Sequence, residues 1–334
     1  MIYLRIKILF KNSVQFLIFL FFYLYFKTYY GEIKPITNQN QDEFYNLTSI
    51  NNKNPEWFEN NWGYILQATR AKGFIFKHNN SAVYFWFRNF NELVIVNFIG
   101  PEIEYILSQL KNICAKLNIK IVIKNVPELI IKEFQNEGFV IKNSPWSKFS
   151  VMDDNSYPQI TSNVLGIINL ENNSIRRTYK YNIKKFEKNR KIEIILYDDS
   201  FKSEIEKILL INAWYLESKG ADSAVEVYNA HTFFFKNNIK FSYRLVFKEN
   251  GKIIGAAFFT VKNKVAYWNA LINYNESNLM NYLIWISLKY INNLEPLTKL
   301  SLQGCENQGQ YNWKQGYYPL NSIKKVHMEF NPSN

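Results

Sequence analysis

The sequence predicts an α/β (α+β) protein of two modules, each a mixed central sheet flanked by helices, with a short hydrophobic helix at the N-terminus. Three observations predict it. Residues 72–141 run strands, helix, strand, helix, strand; residues 174–330 repeat that grammar; and the polar stretch Met152–Pro158 lies between them. With 334 residues, 47% hydrophobic and 20% charged, the chain can bury two ordinary cores and is neither disordered nor low-complexity.

The first element is the apolar run Val14–Phe26, bounded by Lys11 and Lys27. Alone it is shorter than the roughly 20 residues of a full hydrocarbon crossing. Asn12, Ser13 and residues 27–30 bring it close to spanning length, with the lysines snorkelling. No small-x-small cleavage site follows, and Tyr29-Tyr30 suit an interfacial belt. Residues 1–31 are therefore read as an uncleaved anchor or membrane-surface helix, the alternative being a buried helix. The folded part is expected on the cytoplasmic side of the inner membrane, or in the cytoplasm if the true start lies further on.

Residues 32–155 form the expected first domain. Helices are expected near 40–50 and 55–68, then strands at 72–77, 82–87 and 92–99, with turns at His78-Asn79-Asn80 and Asn89-Phe90-Asn91. Pro101 opens a helix to Leu117 whose apolar face is Ile103, Ile106, Leu107, Leu110, Ile113 and Leu117. A strand at 119–123, a helix from Pro127 to Asn136, Gly138 as its C-cap and a strand at 139–141 follow.

Residues 156–334 form the expected second, catalytic domain. Ser174 caps a basic helix to Asn189; a strand at 192–197 and helices at 201–218 and 223–236 follow. Strands at 241–248, 252–261 and 265–271 form a meander with Asn250-Gly251 as a hairpin turn. A helix at 278–292, a strand at 299–302, a helix at 307–315 and a strand at 323–330 close the chain.

Charge is concentrated. The net +12 comes from 40 basic and 28 acidic residues. Part of the lysine excess reflects a composition rich in residues of AT-rich codons, including 44 Asn, 23 Tyr and 27 Phe. Position is more telling: residues 1–31 carry Arg5, Lys7, Lys11 and Lys27 and no acid, and residues 171–191 carry eight basic residues against Glu171 and Glu187. Steps of three and four put Arg177, Lys180, Lys184 and Lys188 on one face of the basic helix, where they repel one another unless an anion neutralises them. Arg176, Arg177, Lys180 and Lys184 are thus candidate contacts for a phosphate-bearing partner.

The sequence has no GxGxxG, Walker A, HExxH, CxxC or GxSxG motif. Three dispersed histidines and two cysteines, Cys114 and Cys305, give no metal-ligand spacing, and no metal site is expected. A second cluster begins beyond the strand at 299–302: Gln303, Gly304, Cys305, Glu306 and Asn307, then Trp313-Lys314-Gln315-Gly316-Tyr317-Tyr318-Pro319. Polar residues beyond a strand end are where open sheets place ligands. Lys314 suits a phosphate or carboxylate, and Glu306 suits an amine or the role of general base. Gln303, Asn307 and Tyr317, with Asn273 and Asn275 from the loop after the meander, complete the candidate substrate contacts.

Four stretches carry a resemblance. They are Val126-Pro127-Glu128-Leu129 with Glu137-Gly138-Phe139, the basic segment Arg176–Phe186, Lys252–Phe258, and Trp313–Pro319. In order and spacing the chain resembles, over residues 35–330, the tandem GNAT-fold family of the phosphatidylglycerol lysyltransferase C-terminal domain, related to FemAB-type aminoacyltransferases. The resemblance implies two acyl-CoA N-acyltransferase (GNAT)-like domains. It also implies transfer of an aminoacyl group from aminoacyl-tRNA to a lipid, peptide or small amine or hydroxyl acceptor, without a bound cofactor. The basic helix would face tRNA or lipid phosphate, and Lys314 the substrate phosphate. Residues 273–280 lack the Gly-rich turn that holds coenzyme A pyrophosphate, which disfavours acyl-CoA as donor. An acyl-CoA or acyl-carrier-protein transferase and a non-catalytic binder of anionic ligands or membrane surfaces are the alternatives. DNA is not an expected partner.

Overall fold

A computed structural model describes residues 2–51, 59, 61–69, 72–142, 159–218, 224–236, 239–276, 278–302 and 308–332. The chain forms two compact units, Met1–Ser156 with Lys324–Asn334, and Tyr157–Ile323.

The first unit contains α1 (Ile2–Tyr29), β1 (Ile33–Pro35), α2 (Gln41–Asn51), α3 (Trp62–Ala68), β2 (Gly73–His78), β3 (Ser81–Asn89), β4 (Glu92–Ile99), α4 (Ile103–Lys116), β5 (Lys120–Pro127), α5 (Ile131–Asn136) and β6 (Val140–Lys142). The second contains β7 (Gln159–Asn163), α6 (Val164–Ile168), α7 (Arg177–Asn189), β8 (Ile192–Leu196), α8 (Lys202–Ser218), α9 (Ala224–Lys236), β9 (Tyr243–Glu249), β10 (Lys252–Lys262), β11 (Val265–Asn273), α10 (Leu279–Leu294), β12 (Lys299–Ser301), α11 (Gln308–Lys314) and β13 (Pro319–Ile323). The last strand, β14 (Lys325–Phe330), belongs to the first unit.

The duplication is visible strand for strand. One seven-stranded sheet runs β1-β2-β3-β4-β5-β14-β6, and the other, read from its far edge, β8-β9-β10-β11-β12-β7-β13. In both, the fourth and fifth strands pair in parallel, β4 with β5 and β11 with β12, and every other neighbour is antiparallel. The helix between the parallel strands, α4 or α10, is the crossover that such pairing requires.

Two expectations are corrected. The strand at the chain's end does not close the second module: β14 lies between β5 and β6 of the first sheet. The alternation of Val326, Met328 and Phe330 with Lys325, His327 and Glu329 fits it there, because Met328 is buried in the first core while Val326 and Phe330 pack against it. Nor is residues 1–31 a segment apart. Ile18, Phe22 and Phe26 belong to the same core as Phe74, Phe85 and Phe87 of the sheet and Ile106, Leu107, Leu110 and Ile113 of α4. Phe22 stacks on Phe87 with ring centroids 3.4 Å apart, and Gln15 Nε2 donates to the Arg88 carbonyl at 2.9 Å. Each buried Phe contributes about 1.5–3 kcal/mol by leaving water. The helix meets the length and composition of a membrane span, yet one of its faces is protein core.

Three strands absent from the sequence reading are short or polar. β7 is Gln-Ile-Thr-Ser-Asn, yet Gln159, Thr161 and Ser162 are buried, Gln159 donating to Ser301 Oγ at 3.0 Å and Ser162 to the Tyr317 carbonyl at 2.5 Å. β1 and β13 are edge strands of their sheets, where pairing on one side suffices.

Candidate functional site

The candidate site is built at the start of α7 in the second unit. Arg176, not Ser174, is the N-cap, and its N–H donates to the Gly316 carbonyl at 2.7 Å. Ile183 and Tyr179 turn into the core and Phe186 stacks on Tyr282 of α10, 5.5 Å between rings. That choice of buried face leaves Arg177, Lys180, Tyr181 and Lys184 together outside. With Asn172 and Tyr318 they line a groove of about 550 Å³. Lys180 Nζ donates to Asn172 Oδ1 at 3.2 Å. Among the described residues no acid pairs with Arg177, Lys180 or Lys184, so the groove is a concentration of positive charge edged by two aromatic rings.

The second sequence cluster buttresses this helix. Trp313 Nε1 and the Tyr317 hydroxyl both donate to Asn281 Oδ1 on α10, at 3.0 and 2.8 Å. The Tyr179 hydroxyl donates to the Trp313 carbonyl at 3.0 Å, and its ring packs edge-on to Tyr317. Burial raises the pKa of both hydroxyls, so they remain donors. Gly316 permits the close approach: a Cβ there would lie 2.2 Å from Tyr179 Cε2.

The loop after β11 is tied to the other end of α7. Asn278, left-handed at φ 66°, accepts from Asn182 Nδ2 at 2.9 Å, and Glu276 accepts from Arg190 Nη1 at 2.6 Å. Arg190 also grips Glu249, which raises the guanidinium pKa and lowers that of the Glu249 carboxyl. β10 comes so near β11 that a Cβ on Gly255 would sit 2.5 Å from the Ile272 carbonyl oxygen.

The expected site residues therefore separate. Arg177, Lys180 and Lys184 share the groove. Arg176 lies behind it, with Nη2 3.5 Å from the Asn312 carbonyl and its guanidinium over the Tyr179 ring. Tyr317, expected at substrate, is 0% exposed and serves the buttress, because its ring and hydroxyl are both used internally. Lys314 is buried at the end of α11 and does not line the groove. Asn273 is buried, its Nδ2 donating to the Tyr274 carbonyl, while Asn275 is exposed. Gln303, Glu306, Asn307 and Cys305 lie outside the described residues. Cys114 is in the first core, and burial pushes its thiol up to about 12. Among the described residues no group of three His, Cys, Asp or Glu side chains is placed to hold a metal ion.

Asn172, Tyr181 and Tyr318 escaped the sequence reading. Tyr318 adjoins the candidate Tyr317 just before β13, and of the two rings Tyr317 is buried and Tyr318 exposed.

No protein-family profile and no curated protein sequence matches the chain. Solved structures do. A conserved protein of unknown function from Bacteroides thetaiotaomicron VPI-5482 matches with a TM-score of 0.63 at 13% identity, over 90% of this chain and 99% of that one. L-PGS from Bacillus licheniformis matches at 0.58 and 9%, over 88% and 92%. The DUF2156 C-terminal domain of a protein described as a lysylphosphatidylglycerol synthetase, from Agrobacterium fabrum, matches at 0.57 and 9%, over 86% and 91%. The fold is a tandem GNAT-like fold. At these identities the likeness establishes architecture, and the chemistry must be argued from the groove.

Proposed function

We propose that the protein is an acyltransferase whose second unit moves an acyl group, an aminoacyl group from aminoacyl-tRNA, to an amine or hydroxyl of a lipid, peptide or small molecule. The observation that carries this reading is the groove of Arg177, Lys180 and Lys184, cations that pair with no acid among the described residues, on a fold shared with L-PGS. Phosphates neutralise such a stripe, and the exposed rings of Tyr181 and Tyr318 suit the stacking of unpaired bases.

The transfer itself is simple to balance. The acceptor nitrogen or oxygen bonds to the ester carbonyl carbon, the carbon–oxygen bond to the terminal ribose breaks, and the acceptor's proton ends on the released ribose hydroxyl. In this reading Glu306 takes the acceptor's proton, and Arg177, Lys180 and Lys184 neutralise charge at the donor phosphate. Residues 273–280 lack the Gly-rich turn that would offer amide donors to a coenzyme A pyrophosphate, which supports charged tRNA as donor.

The test is incubation of the protein with charged tRNA pools or acyl-CoAs, each with a lipid and amine panel, read by mass spectrometry. An aminoacylated acceptor formed only from charged tRNA is the expected result. Product formed only from acyl-CoA overturns the donor, and no product from either overturns the reading.

A further inference from the structure

Helix α1 is apolar on two opposite faces, and the fold uses only one. Leu4, Ile8, Ile18, Phe22 and Phe26 recur at helical spacing and are buried. On the opposite side Ile6, Phe10, Leu17, Leu20, Phe21 and Leu24 are exposed, Phe10 by 71%. A soluble surface helix would carry polar residues there. The two aliphatic hydroxyls of the helix are satisfied within it: Ser13 donates to the Leu9 carbonyl at 3.0 Å and Thr28 to the Leu24 carbonyl at 2.9 Å. Such back-bonding is what a hydroxyl facing hydrocarbon requires. The charged residues of the helix are Arg5, Lys7, Lys11 and Lys27, with no acid. Arg5 and Lys27 are exposed and flank the apolar stripe.

We propose that α1 is an in-plane membrane helix, its inner face fixed to the first sheet and its outer face lying in the surface of an anionic bilayer. A crossing would pull Ile18, Phe22 and Phe26 from the core and uncover Phe74, Phe85 and Phe87. Lying flat satisfies both faces at once. Arg5 and Lys27 then reach the headgroups, which must be anionic for the charge to be matched. A second copy of the chain is the rival occupant, but it would bring the same unbalanced positive charge to the interface.

Flotation of the full-length protein with vesicles tests this directly, whether or not the protein transfers acyl groups. It should float with phosphatidylglycerol–phosphatidylcholine vesicles and much less with phosphatidylcholine alone. Leu17→Asp with Phe21→Asp should weaken binding at least tenfold while circular dichroism stays unchanged, and Arg5→Gln or Lys27→Gln should each weaken it roughly fivefold. Tryptophan placed at Phe10, Leu17 or Leu24 should be quenched by brominated lipids at the same shallow depth. A depth greatest at Leu17 would mean a span and overturn the proposal. So would unchanged flotation of the double variant, equal binding to neutral vesicles, or a dimer in sedimentation that the double variant dissociates.

Discussion

Arg190 grips both carboxylate oxygens of Glu249, Nε to Oε1 and Nη2 to Oε2, and spends its remaining arm on Glu276. One side chain thereby joins the end of α7, strand β9 and the loop before α10. It also removes one cation from the basic segment, so the charge presented outward is smaller than the sequence count.

Arg190→Ala leaves two carboxylates facing each other without their cation. We expect a loss of about 1–3 kcal/mol in urea unfolding, less than for a wholly buried pair because Glu276 is half exposed. Arg190→Lys should recover less than half, since an ammonium cannot reproduce the fork.

The same pair sets a pH dependence. Arg190 holds the Glu249 carboxyl below its ordinary value, so the folded state binds the proton less readily than the unfolded chain does. The stabilisation is complete above the ordinary glutamate range and disappears as pH falls through the lowered value. Glu249→Gln should therefore flatten the acid limb of stability against pH, with wild type and variant converging at low pH.

For the groove, Arg177→Ala, Lys180→Ala and Lys184→Ala together should weaken tRNA binding and reduce the salt slope by about 0.7–0.9 per lost contact. Arg176→Ala should leave that slope nearly unchanged, because its guanidinium lies on Tyr179. Filter binding over a salt series separates the two. Equal effects would place the anion on the Arg176 side.

Gly316→Ala tests the buttress. The added methyl meets the Tyr179 ring, which cannot move without breaking its bond to the Trp313 carbonyl. We expect about 1–3 kcal/mol of destabilisation in chemical denaturation. Tyr317→Phe should cost about 1 kcal/mol, since Trp313 still donates to Asn281.

Phe22→Ala and Leu17→Asp sit close together on α1 and should behave oppositely. The first removes a stacked core ring and should cost about 3–5 kcal/mol. The second changes an exposed position and should leave the unfolding midpoint in place.

The sequence made the meanders legible because their strands are long and apolar, as in Lys252–Lys262, and the crossover helices because α4 keeps a clean apolar stripe. It hid β7, whose hydrogen-bonded Gln159 and Ser162 look like loop residues until their partners are known. The basic face of α7 was readable from helical spacing alone. What spacing could not tell was which of two adjacent residues faces the groove: Arg176 and Arg177 differ only in where the helix begins, and Tyr317 and Tyr318 only in how the chain turns between α11 and β13.

The placement of β14 has a consequence for synthesis. Among the described residues β6 pairs with no strand but β14, and β5 lacks its outer neighbour until β14 arrives. A ribosome finishes the second sheet's last strand, β13, before it makes the strand that completes the first. The half of the protein translated first is thus the half finished last. Until β14 (Lys325–Phe330) is made, β5 keeps an open edge, a period in which nascent copies are exposed to edge-to-edge aggregation.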